Sequence, residues 1–227
     1  MENPTKTSSV NSRADYQQML DEVNKLRQER FIAISLLLII LLITMVYGTL
    51  KNPFTHTFSK IGNYFSYRTW YIAWAVTVSF CMHTTTILLF RLGKYTSKLG
   101  YGGIACASFF LIITAIIPSL KEQLPLWHVI HKWTTFFYVM SMITSLYPFF
   151  IYLSRKIPRL KVLLRNWQLL ILIGSLTSLI IQGQTGIFEL WFYFSLVTLM
   201  LYLSWTLFTE AINKASTYSG NNNREIG

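Results

Sequence analysis

The chain is partitioned by its charges. Six stretches contain no Asp, Glu, Lys or Arg: 31–50, 69–90, 99–120, 133–154, 166–188 and 190–209. Each runs for 20 to 23 residues, close to the ~20 that a helix needs to cross a ~30 Å hydrocarbon core. Inside lipid a segment must satisfy its own backbone hydrogen bonds, so runs of this kind read as spanning helices rather than strands or loops. The expected fold is all-α: a polytopic bundle of six transmembrane helices. Composition agrees, because 52% of the residues are hydrophobic and only 13% charged, about half the charge density of a soluble domain. Soluble and disordered chains are excluded.

The first run does not read as a secretory leader. It begins thirty residues into the chain, is too long for a leader's apolar region, and leaves through Val46-Tyr47-Gly48-Thr49-Leu50 without a small-x-small cleavage site. Three parts follow: a charged N-terminal segment over 1–30, the membrane region over 31–209 and a polar tail over 210–227.

The twenty Lys and Arg against nine Asp and Glu first suggest an acidic partner such as nucleic acid. Sorted by loop, they mean something else. The N-terminal segment, the second and fourth loops and the tail carry fifteen bases, and the opposite side carries five. By the positive-inside rule this places both termini in the cytoplasm and the chain in the cytoplasmic membrane, with membrane lipids rather than nucleic acid as its charged surroundings.

Within 13–30, Tyr16, Met19, Val23 and Leu26 form a helical stripe that runs into the first span. It suits either a short coiled coil, giving a homo-oligomer or docking a membrane-protein partner, or an amphipathic extension on the anionic inner leaflet. After the first span, Asn52-Pro53 offers an N-cap and a first-turn proline, with Phe54, Phe58, Ile61 and Phe65 at helical spacing behind it. This predicts a short outer interfacial helix from that point, with His56, Ser59 and Lys60 on its polar side. The third outer segment brings Pro118, Glu122, Pro125, His128 and His131, with Trp127 and Trp133 as interfacial anchors, and the fifth is a tight turn over 182–186 followed by Glu189.

The candidate ligand-binding residues therefore gather at the outer end: His56, Ser59, Glu122, His128, His131 and Glu189, with Lys60, Gln182 and Gln184 beside them. His-x-x-His with a distant third ligand is a poor metal signature, and no metal or other cofactor is expected. A polar pocket for a lipid headgroup, small ligand or membrane partner is the economical use of these groups. The alternatives are a lipid-modifying membrane enzyme, using the outer histidines or the intramembrane His83, and an accessory subunit of a membrane complex.

His83 is the one histidine inside a span and marks a functional candidate by its depth, against the reading of a histidine bonded across helices. Ser79-Phe80-Cys81-Met82-His83 resembles the Ser-x-x-x-His of intramembrane hydrolases related to alkaline ceramidases and adiponectin receptors. The intramembrane acid and the last-span His-x-x-x-His of that site are missing. Gly103 with Ala107, Gly102 with Cys106 and Gly174 with Ser178 give small-x-x-x-small faces for packing, Cys81 and Cys106 read as small buried residues, and Pro148 predicts a kink. No intramembrane carboxylate or pair of broken spans suggests a coupled carrier.

The segment Asn52-Pro53-Phe54-Thr55-His56-Thr57-Phe58-Ser59-Lys60-Ile61-Gly62, with Pro118 and a histidine in the following outer loop, resembles bacterial six-span membrane proteins of the domain of unknown function 998 family. In layout it is similar also to the eukaryotic damage-regulated autophagy modulators. The resemblance covers roughly 52–209 and implies the six-span fold and a plasma-membrane location; it implies no reaction. Lys60 departs from it, standing where an acidic residue is expected. Asn221-Asn222-Asn223 and the lysine-rich loops suit a low-GC bacterial source.

Overall fold

A computed structural model describes the backbone of residues 4–182 and 185–222, and the side chains of 17–178, 180–181 and 185–216. Gln184, the side chains of Tyr16 and Gln182, and the last five residues lie outside it. The described residues form seven helices and no strand: α1 (Pro4–Gly48), α2 (Phe58–Tyr64), α3 (Arg68–Gly93), α4 (Lys98–Ile116), α5 (Pro125–Lys156), α6 (Leu160–Gln182) and α7 (Gly186–Asn222). All but α2 are long and apolar enough to cross a membrane. The protein is thus a helical, multi-pass membrane protein. Helices α1 and α7 run unbroken through residues 30 and 209, where the charge pattern changes.

The spans close into a ring. Helix α1 lies between α3 and α7, α3 packs on α4, α4 on α5, and α6 joins α5 to α7, while α3 also reaches α7 across the ring. Helix α3 is its centre: 56% of its apolar stretch is buried, against 11% for α6. That difference separates a core helix from one whose sides are left to lipid.

Sequence sets the ends of these helices. Lys94 adopts the left-handed conformation (φ 57°) after Gly93, so that Lys94 N–H and Tyr95 N–H donate back to the Arg91 and Phe90 carbonyls and stop α3. Tyr152 Oη and Lys156 Nζ on α5 donate to the freed Gly93 carbonyl at 3.1 and 2.7 Å. The Ser97 hydroxyl caps the start of α4. At its other end Pro118 forces Ile117 into an extended conformation, which ends the third span four residues before its charge-free run does.

Only part of the small-residue pattern packs. A Cβ on Gly103 would lie 3.1 Å from the Ser141 carbonyl oxygen, so α4 and α5 meet there at backbone distance, and Ser145 Oγ donates to the Gly100 carbonyl at 2.8 Å. The neighbouring Gly102 faces open space, and Cys106, expected to be buried, is exposed. Both stand about 100° around the helix from the Gly103–Ala107 line, and that turns them to the lipid side. Cys81 is buried as expected.

Part of the N-terminal stripe finds cover within the chain. Val23 is only 6% exposed. Arg30 stacks 5.2 Å over Trp205 and donates to Thr209 Oγ1, which fixes the antiparallel register of α1 on α7. Glu29 pairs with Arg91 at 3.5 Å, and Arg159 pairs with Glu210. Several bases at this end therefore join helices to one another as well as carrying charge.

Candidate functional site

At the opposite end, the chain leaving α1 folds into a turn rather than directly into a helix. Asn52 caps as its type suggests, with Oδ1 accepting from Phe54 N–H at 3.0 Å and its carbonyl accepting from Thr55 and His56 N–H at 3.2 Å. The helix itself starts five residues later than Pro53, at Phe58. Thr57 is its N-cap, and the Thr57 hydroxyl accepts from Lys60 N–H at 3.2 Å. The expected start was displaced because the carbonyls of the Asn52–His56 turn are committed elsewhere.

Those of Pro53 and His56 are committed to α7. The first N–H groups of any helix lack partners within it. In α7, Gly186 N–H donates to the His56 carbonyl and Ile187 N–H to the Pro53 carbonyl, both at 3.0 Å. In return Glu189, in the first turn of α7, accepts the free first N–H of α2, from Phe58, at 2.5 Å. Each helix start is thus capped by the other's segment. Only glycine suits position 186, where a Cβ would sit 2.6 Å from the His56 oxygen and 3.2 Å from Pro53. The charge count marked Glu189 as a boundary between runs; it is a partly buried acceptor inside the last span's first turn.

Phe58 carries this clamp into the bundle. Its ring, 2% exposed, lies edge-on to Tyr47 and Trp74, with centroids at 5.5 and 5.0 Å, and its carbonyl accepts from Tyr47 Oη at 2.8 Å. Tyr71 and Tyr193 complete an aromatic box around Trp74. Two polar groups of the box are paired across helices: Trp74 Nε1 donates to Thr44 Oγ1 at 3.1 Å, and the Tyr138 and Tyr193 hydroxyls share a hydrogen bond of 2.9 Å. Of the expected aromatic face, Phe58 and Ile61 are buried, Phe54 is exposed, and Phe65 ends the helix beneath the His56 ring at 4.8 Å. Ser59 Oγ bonds Thr57 Oγ1 at 3.1 Å.

The other outer candidates form a second group on the connection from α4 to α5. Helix α5 starts at Pro125 and holds His128 and His131 one turn apart. His128 Nδ1 and Ser119 Oγ lie 3.0 Å apart; His131, 6% exposed, has Nδ1 3.3 Å from the Ile117 carbonyl oxygen. Arg68 ties this group to the first, donating to Asn63 Oδ1 of α2 at 2.8 Å and to the Ile116 carbonyl at the end of α4. Lys121 N–H donates to the Tyr64 hydroxyl. Electrostatically the group is one-sided: Lys121 and Lys132 act on His128, and Arg68 and His128 act on His131. Glu122, its nearest acid in sequence, is exposed.

The six outer candidates are accordingly divided. His56, Ser59 and Glu189 belong to the clamp, His128 and His131 to the cationic shoulder, and Glu122 stands in the loop beside the latter. Among the described residues no three of His, Cys, Asp and Glu come together as metal ligands. In the second span, His83 Nδ1 lies 3.3 Å from Ser108 Oγ of α4, beside reciprocal bonds between Ser79 and Ser108. Sequence reasoning passed over Arg68, Tyr47, Trp74 and Tyr193. Arg68 was visible only as the charge before a span, and the aromatic residues only as apolar filling. No family model matches the chain, and neither a curated protein nor a solved structure matches it.

Proposed function

We propose that the protein is a non-catalytic resident of the cytoplasmic membrane, with both termini in the cytoplasm, whose extracytoplasmic shoulder binds the anionic headgroup of a lipid. The observation that carries this reading is the one-sided charge of the shoulder, where the bases Arg68, Lys121 and Lys132 stand around His128, His131 and a pair of helix ends. Phosphate-bearing groups suit such a cluster, because its three bases outnumber the one carboxylate beside it, that of the exposed Glu122. The clamp supports the shoulder from the side by fixing α2, through which Asn63 and Tyr64 hold Arg68 and Lys121. His56 and Glu189 serve in this reading as framework rather than as ligands. The resemblance to the domain of unknown function 998 proteins runs through the same clamp segment and is compatible with this role.

The fifteen-to-five division of bases supports the orientation. A reporter fused after Gly227 is expected to be active only in the cytoplasm; activity outside would invert the assignment. For the shoulder, Lys121→Ala with His128→Ala changes exposed or half-exposed side chains and leaves the clamp intact. The double variant is expected to co-purify with less anionic phospholipid than the unaltered protein, and an unchanged lipid profile would overturn the headgroup reading.

A further inference from the structure

We propose a second lipid site at the other end of the bundle: a groove along α6 that holds an anionic phospholipid, its phosphate at Arg159 and Asn166 and one acyl chain running outward over Trp167 and Leu170. Two cavities carry the inference. One, of about 520 Å³, is lined by Arg159, Val162, Leu163, Asn166, Trp167 and Leu170. The next, of about 440 Å³, begins at the same Leu170 and continues past Gly174 to Ile181 and Trp191. They adjoin at Leu170 as open grooves on the least buried span. The charged and amide groups, Arg159 and Asn166, stand at one end, and the far half is mainly apolar apart from Thr177 and Ser178.

The dimensions fit. From Asn166 to Ile181 the groove follows fifteen residues of helix, about 22 Å at 1.5 Å per residue, while a single leaflet contributes roughly 15 Å of hydrocarbon. Trp167 fixes the floor by donating Nε1–H to the Ser195 carbonyl of α7 at 2.8 Å. Gly174 lets the Trp191 indole of α7 lie directly against α6, so that this ring forms the wall of the groove's far half.

The charges select the headgroup. Arg155, Lys156, Arg159, Lys161 and Arg165 crowd the turn between α5 and α6. Arg159 pairs with Glu210, yet its side chain remains 61% exposed, and a guanidinium has five donors, more than one carboxylate uses. Lys161 and Arg165 are also exposed. Basic residues at the mouth of an intramembrane groove favour anionic over zwitterionic headgroups.

The test uses the full chain reconstituted in vesicles of phosphatidylcholine, into which brominated phosphatidylglycerol or brominated phosphatidylcholine is titrated. Bromine quenches tryptophan at contact, and the Trp167 contribution is isolated by comparison with Trp167→Phe. Brominated phosphatidylglycerol is expected to quench Trp167 with about fivefold or greater preference, the scale of one or two basic contacts at a membrane surface. Arg159→Gln, and separately Lys161→Gln with Arg165→Gln, should reduce that preference, the second variant leaving the Arg159–Glu210 pair in place. Equal quenching by the two lipids in the unaltered protein overturns the proposal, as does a preference that survives in both variants. Trp167 reads the groove and not the distant shoulder, so failure of either site is seen separately.

Discussion

The clamp and the shoulder sit at the same end of the bundle and spend their polar groups in opposite ways. In the clamp, the backbone groups at the two helix starts are paired. The Gly186 and Ile187 N–H groups, the His56 and Pro53 carbonyls, Glu189 and the Phe58 N–H are all paired, above an aromatic box with Phe58 at its centre. In the shoulder, positive charge exceeds what the local carbonyls and hydroxyls can use, and Lys121 and Lys132 are exposed. A region with matched groups loses stability when altered. A region with surplus charge, on the proposed reading, loses lipid.

The largest effect is expected where the clamp has no room. Gly186→Val drives a side chain into the His56 carbonyl and should cost about 3 kcal/mol or more, read as a lower unfolding temperature of the purified protein. If Gly186→Val accumulates and unfolds like the unaltered protein, α7 does not meet the Asn52–His56 turn at this distance. Next, Glu189→Leu strips the acceptor from the Phe58 N–H and should cost about 2 kcal/mol, whereas Glu189→Gln, which keeps an acceptor oxygen, should cost about half as much. Equal losses in the two variants would show that a neutral acceptor oxygen cannot stand in for the carboxylate at this hydrogen bond.

A smaller loss, about 1 kcal/mol, is expected for Thr57→Ala, which removes the side-chain cap of α2; rescue by Thr57→Ser would confirm the hydroxyl as the cause. On the shoulder, Lys132→Ala should change stability by less than about 0.5 kcal/mol while weakening retention of anionic lipid. A clear drop in unfolding temperature for Lys132→Ala, with lipid retention unchanged, would erase the contrast between the two regions.

The spans were legible because charge is costly in hydrocarbon, and so the gaps between charges measure the membrane. The end of α6 near Gln182 could be read for similar reasons, from turn residues. The clamp was not legible, because its bonds join backbone atoms 131 residues apart in sequence to a side chain that looked like a boundary marker. Pro53 suggested a helix start because local propensity favours one, but tertiary hydrogen bonds from α7 took the carbonyls such a helix would have needed. Similarly, three histidines on one side of the membrane suggested one site. Their separation depends on which helices are neighbours, and α2 lies on α3 while α5 lies on α4. The stripe in 13–30 showed that a helix face needs cover, and not that α7 supplies some of it.

The reciprocal capping of α2 and α7 also bears on assembly. Translation delivers α1 and α2 first and α7 last. Until the last span arrives, the Phe58 N–H has no carboxylate to receive it, and the Pro53 and His56 carbonyls lack their donors. The turn after the first span therefore stays unfinished while the intervening spans are made, and it closes only when the final helix packs beside the first. A chain cut short before Gly186 would leave that turn open, exposing the aromatic box to whatever surveys misassembled proteins in the membrane.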